Sequence, residues 1–170
     1  MIKLNLGCGD QYLVGWFNVD LYADVVDIRD DITTLTKTIH TLGLNDPAGH
    51  FKVDEIYSSH SLMCVPEAQL KNTLVLWKEL LKDGGRLVIE TTDLDKQAVD
   101  ISKNCKNSEI IVHSLFGDGI QDGDGLKYQF NYYLLELWLR RAGFKEIKKI
   151  KQPDISEHKK EFNLAVEAIK

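Results

Sequence analysis

The chain of 170 residues lacks any apolar run near the roughly 18 residues that a membrane span requires, so no transmembrane segment is expected. It has three cysteines, Cys8, Cys64 and Cys105, far apart, odd in number and without a CxxC pair. That argues against a disulfide framework or a zinc site and predicts reduced thiols. The opening "MIKLNLGCGD" has no basic stretch followed by an apolar core, so no secretory signal is expected and the predicted location is cytoplasmic. An excess of positive charge is also missing. The net charge of −5 gives no indication of nucleic-acid binding. No internal repeat, low-complexity segment or composition shift divides the chain, which predicts a single domain over 1–170.

What charge there is lies unevenly. Residues 1–136 carry 12 Lys and Arg against 21 Asp and Glu, whereas residues 137–170 carry 9 against 5. A solvated basic hairpin at the end of the chain accounts for this, and a patch for an anionic substrate is the alternative.

Apolar periodicity supplies the elements. Ile2, Leu4 and Leu6 alternate with polar residues until Gly7 and Gly9 stop the run, which predicts a strand and a tight turn. Residues 16–20, 24–28 and 53–59 read as further strands, and 33–42 as a weak helix. Leu70, Leu74, Trp77 and Leu81 fall on one helical face over 66–82, with Pro66 at the start and Gly84 beyond the end. A strand follows at 85–92, then broken helix over 95–116 and a glycine-rich loop at 116–125. Asn131 caps a second strong helix, and residues 144–151 and 161–169 close the chain as two strands. Alternation of strands and helices predicts an α/β fold with a mostly parallel sheet. Trp16 and Trp138 are expected in its core.

In such sheets ligands bind beyond the carboxyl ends of the strands, where strand order reverses. "LNLGCGD…NVD" supplies a glycine turn after the first strand and an acid, Asp20, at the end of the second. Glycines let backbone N–H groups approach a ligand, and the acid can accept both hydroxyls of a ribose. As a dinucleotide fingerprint this stretch is poor on two counts. Its third glycine would fall at position 12, which is Tyr12, and its acid would lie about 20 residues further on. A nicotinamide oxidoreductase is therefore disfavoured. A purely structural turn remains the alternative.

These residues resemble the class I S-adenosylmethionine-dependent methyltransferases, closest to small predicted members whose first motif runs GCG, a short loop, Gly-Trp and Asn-Val-Asp. "VDEIYSSHSLMCVP", "LWKELLKDGGRLVIETTDL" and "LLELWLRRAGFKEIKKI" match later segments of that family in register. The resemblance implies a Rossmann-like doubly wound sheet of seven strands in the order 3-2-1-4-5-7-6, one antiparallel, with the first helix short or absent. It implies that Gly7, Cys8 and Gly9 line the methionine part of S-adenosylmethionine, that Asp20 holds the ribose, and that Leu21 lies against the adenine. Asp31 and Ile32 match the position meeting the adenine amino group and ring, with Asp27 and Asp30 near enough to compete. Ser59 would line the cofactor, and His60 would face the reacting sulfonium as the candidate general base. A backbone-bonded His60 that only shapes its loop is the alternative. The product would be S-adenosylhomocysteine.

Methyl transfer is a displacement at carbon already activated by the cofactor, so no catalytic motif need be visible. Three departures from the family bear on function. The stretch Asp10–Trp16 is shorter than the about 10–12 residues of a helical crossover. Leu62-Met63-Cys64 stands where relatives carry Leu-Glu-His, and Leu126 stands where they place a histidine before Lys127 and Tyr128. The last two touch only the acceptor side. They imply a changed acceptor, or a non-catalytic relative that binds cofactor or a partner. The acceptor is unidentified, and a second subunit or a large acceptor is expected to complete a shallow site. In "DGIQDGDG" (118–125) Ile120 sits where a calcium loop needs its first ligand, so no metal is expected there; a lid over the substrate is the preferred reading.

Overall fold

The computed structural model describes residues 1–45, 52–103, 112–113, 115–116, 125–156 and 162–170. Seven strands form one sheet: β1 (Lys3–Leu6), β2 (Phe17–Asp20), β3 (Ile28–Arg29), β4 (Val53–Ser59), β5 (Leu81–Thr92), β6 (Glu146–Ile150) and β7 (Asn163–Ile169). Their order is β3-β2-β1-β4-β5-β7-β6, with β7 antiparallel to both neighbours, as the resemblance implies. Helices α1 (Thr36–Thr41), α2 (Glu67–Leu80), α3 (Leu94–Lys103) and α4 (Tyr132–Arg141) and a 3-10 turn (Leu62–Cys64) complete the described elements. None of the described helices is long and apolar enough to cross a membrane.

The helix ends explain their bounds. Pro66 stands just before α2, and Leu70, Leu74 and Trp77 bury its inner stripe. Lys52 and Lys170 donate to the carbonyl of Glu79, and Lys170 also to that of Leu81, placing positive charge on the negative end of the helix. Asn131 Oδ1 accepts Leu134 N–H at 2.9 Å to cap α4. Gly143, at φ +91°, ends it.

Strand register sorts the side chains into two unlike faces. Leu4, Leu6, Val19, Ile56, Leu87, Ile89, Leu164 and Val166 share one face with Leu70, Leu74, Trp77, Leu135 and Leu139 as the hydrophobic core. The opposite face is polar. An ion-pair ladder crosses it from Lys3 to Glu55 (3.1 Å), Glu55 to Arg86 (2.7 Å), Arg86 to Glu167 (2.6 Å) and Glu167 to Lys148 (2.7 Å).

Three sequence expectations change in detail. The strand expected at 24–28 is the two-residue β3, because Asp27 turns inward to bond Asn18. The weak helix expected at 33–42 shrinks to α1, since Asp31 and Thr33 form a local side-chain turn before it. Trp138 is in the core, but Trp16 is half-buried on the polar face. There its ring meets Tyr57 edge-on at 6.2 Å, under the ammonium of Lys3. The acidic loop 118–125 lies mostly outside the described residues.

Candidate functional site

The glycine turn follows β1 and folds back on β2: the N–H groups of Gly7 and Cys8 both donate to Val19 O, at 2.8 and 3.2 Å. Gly7 and Gly9 both take left-handed backbone, at φ +66° and +51°. Their surroundings differ. A Cβ on Gly7 would lie 2.1 Å from Ser61 Cβ, whereas one on Gly9 would meet nothing within 4 Å. Ser61 Oγ donates to Leu6 O at 2.9 Å, so the loop after β4 sits directly on the turn. Glycine at 7 therefore serves packing within the protein, and the open side of the turn is at Gly9.

Asp20 locks this arrangement. Its Oδ2 accepts Gly9 N–H at 2.9 Å, and its Oδ1 accepts Tyr22 and Ala23 N–H at 2.8 and 3.0 Å. Leu21 and Tyr22 beside it are 39% and 57% exposed and set an apolar wall next to a carboxylate. Arg29 steadies that wall by donating to Leu21 O and Ala23 O at 2.9 and 2.8 Å.

Burial pushes the Cys8 thiol up to about 12, with the charges of Asp20, Asp27 and Asp10 adding to the shift. The thiol stays protonated and is not a nucleophile. The same three carboxylates make the turn a place of negative potential, which suits a cationic ligand and repels a pyrophosphate.

No helix separates β1 from β2. The connecting loop is instead held by a buried amide pair. Asn18 Nδ2 donates to Leu13 O, Trp16 O and Asp27 Oδ2, while its Oδ1 accepts from Leu13 N–H and Asn5 Nδ2. Tyr12 closes the loop over Asp27 by a 2.7 Å hydrogen bond. Burial raises the Asp27 carboxyl, but the Asn18 and Tyr12 bonds outweigh it and leave the group below its ordinary value.

Beyond β3 the competing acids separate. Asp27 is committed to Asn18 and Tyr12. Asp30 is buried, its Oδ2 accepting Thr38 N–H and Oγ1 at 2.8 and 3.0 Å. Asp31 Oδ1 accepts Thr33 N–H and Oγ1 at 2.8 and 2.7 Å, and no bond among the described residues engages its Oδ2. Asp30 N–H donates to Asp20 O at 3.1 Å, which sets this group beside the first acid. Ile32 packs on the core while its carbonyl accepts the Trp77 indole at 2.9 Å.

On the other side of β1, Ser59 ends β4 and is half-buried. His60 has φ +56°, a left-handed backbone that costs a non-glycine residue energy and recurs at functional sites. Its N–H donates to Glu90 O at 2.9 Å. Of Met63 and Cys64, which stand where the family motif is polar, Met63 is buried and Cys64 half-buried. Met63 O accepts the N–H groups of both Lys127 and Tyr128, tying the loop after β4 to the segment before α4. Among the described residues no three His, Cys, Asp or Glu side chains converge as a metal site requires.

The sequence-predicted residues thus gather at the carboxyl ends of β1, β2, β3 and β4, around the strand-order reversal at β1. Sequence reasoning missed Ser61, Asn18, Arg29 and Glu90. Asn5, Asn18 and Glu90 alternate with core residues onto the polar face, where a sequence pattern expects solvent, yet all three are buried and partnered.

The architecture is that of solved S-adenosylmethionine-dependent methyltransferases. One from Archaeoglobus fulgidus superposes with a TM-score of 0.62 at 15% identity, covering 99% of this chain and 85% of that one. Human N-acetylserotonin methyltransferase, solved with S-adenosylmethionine, gives 0.60 at 14% identity over 99% of this chain and 47% of its own. A candidate exported protein from Bordetella parapertussis gives 0.62 at 15% identity over 99% of this chain, which spans 61% of its length. At these identities the likeness is one of fold. No protein-family model and no curated protein sequence matches the chain.

Proposed function

We propose that this protein is an S-adenosylmethionine-dependent methyltransferase acting on an acceptor still to be identified. The observation that carries the reading is the 2.9 Å contact between Gly9 N–H and Asp20. It joins an open glycine turn to a strand-end carboxylate, with an exposed apolar wall alongside. A nucleoside with an amino-acid tail matches that combination, and its sulfonium suits the negative potential of the turn.

In this reading Cys8 and Gly9 line the methionine part, and Gly7 supports them through Ser61. Asp20 takes the ribose hydroxyls with its remaining lone pairs. Leu21 flanks the adenine, and the open Oδ2 of Asp31 takes its amino group beside Ile32. Ser59 and His60 border the sulfonium, with His60 held toward the acceptor by its strained backbone. The cofactor supplies the activated methyl group, and the chain orients it and excludes water. A second subunit or a large acceptor completes the shallow acceptor side.

The test is thermal denaturation and calorimetry with S-adenosylhomocysteine. Saturation at 100 times Kd stabilises by about 2.7 kcal/mol, which raises Tm by several degrees. No shift and no heat at millimolar ligand would sink the proposal, and saturation by a nicotinamide cofactor would redirect it. A second reading, a non-catalytic binding protein on this fold, is favoured by one observation. Met63, buried, and Cys64, half-buried, put largely apolar side chains in place of the polar pair of the acceptor-side motif. It predicts ligand binding without turnover on any acceptor panel. His60→Ala with unchanged turnover on a true acceptor would remove the histidine as a base.

A further inference from the structure

Residues 152–156, after β6, lie against the polar face of the sheet and are held there by one buried carboxylate. Glu90 on β5 is 0% exposed. Its Oε1 accepts the Tyr57 hydroxyl at 2.9 Å, and its Oε2 accepts Gln152 Nε2 at 3.0 Å and Ser156 Oγ at 2.7 Å. Two of these donors thus belong to the 152–156 turn, which is closed by Ser156 N–H on Pro153 O at 3.1 Å. From the same turn the Ile155 carbonyl accepts Gln11 Nε2. Gln11 N–H donates to Cys8 O at 2.9 Å, and Gln11 O accepts Asn5 Nδ2 at 2.8 Å. A continuous run of bonds therefore leads from β5, through the turn, into the glycine turn.

A carboxylate is a costly way to hold a permanent layer, because burying it requires every lone pair to find a donor. Val88, on the same face of β5, shows that an apolar side chain can be buried on this side of the strand. What a carboxylate adds is a second acceptable state. With the segment lifted, water replaces Gln152 and Ser156 at Glu90, whereas an apolar residue would be left exposed. We infer that residues 152–156 form a releasable strap latched by Glu90, and that Gln11 is the positioning residue through which the closed strap fixes the glycine turn. Only the identity of the ligand rests on the methyltransferase reading.

Hydrogen exchange of the full chain without ligand tests the strap. The double variant Gln152→Ala, Ser156→Ala leaves the fold-critical Glu90 and Tyr57 in place. It should speed exchange at residues 8–12 about five- to tenfold, the worth of one net hydrogen bond, with α2 and α4 unchanged. Gln11→Ala should do the same, and the triple variant no more than either. Exposure of the strap without any response in the turn would overturn the inference. If the double variant loses protection throughout, Ser156→Ala alone is read by the same criterion. In calorimetry, S-adenosylhomocysteine affinity should fall about five- to tenfold in both variants. An unchanged affinity would overturn the link to the ligand. A wild-type protein that binds no S-adenosylhomocysteine, yet shows the coupled exchange, supports the strap and sinks the cofactor reading.

Discussion

At the residue scale the two glycines of the turn share a backbone conformation that was readable in advance, and do different work that was not. Both positions lie in left-handed backbone, which "GCG" after a strand already suggests. That Gly7 is crowded by Ser61 was not readable, because the two residues are far apart in sequence and meet only when β1 pairs with β4. Gly7→Ala adds a Cβ overlap to the backbone strain, and a loss of about 3 kcal/mol or more is expected. Gly9→Ala meets only the strain, about 1–2 kcal/mol. Combining Gly7→Ala with Ser61→Gly should recover the overlap term and leave the strain. Urea denaturation of the four proteins measures this; equal costs at the two glycines would show that Ser61 plays no part.

At the element scale, the missing helix between β1 and β2 was legible from length alone, since Asp10–Trp16 is too short for one. What replaces it was not. A helix satisfies its own backbone groups, but an irregular loop over a sheet needs outside partners. Asn18, from within β2, provides them for Leu13 and Trp16, and Asp27 braces it from just before β3. Sequence patterns follow apolar periodicity, and an asparagine inside a strand reads there as a weak strand former. Asn18→Leu keeps the branched shape of the side chain but leaves Leu13 N–H, Leu13 O and one N–H of Asn5 Nδ2 without their partner, while Asp27 keeps the backbone N–H of residue 18 and Tyr12. A buried unsatisfied group costs about 1–3 kcal/mol, so a loss of about 3 kcal/mol is expected, with faster exchange confined first to residues 11–18. A loss below about 1 kcal/mol would mean that water replaces the clamp without cost.

At the scale of the whole molecule, strand order was legible because the family resemblance covers the chain, but the inequality of the two sheet faces was not. It follows from the register: the same alternation that gives β4 and β5 to the core sends Glu55 and Arg86 to the polar face. The ladder across that face stands where a helical layer would otherwise lie, and Arg86 is its centre, bridging Glu55 and Glu167. Burial raises the Glu167 carboxyl, but its bonds to Lys148 and Arg86 prevail and hold it below the ordinary value of 4.5. A depressed carboxyl stabilises the fold above its unfolded pKa, and that stabilisation is lost as pH falls through the folded value. Arg86→Ala leaves Glu55 with Lys3 and Glu167 with Lys148. Because the Arg86 side chain is 42% exposed, the loss at pH 7 should be modest, about 1 kcal/mol. The gap between variant and wild type should narrow as pH falls below the ordinary carboxyl range and through the depressed value of Glu167. Urea denaturation at pH 7 and pH 3 measures it. A gap that stays the same at pH 3 would assign the role of Arg86 to packing of its aliphatic stem across β5, rather than to the charges that hold the polar face.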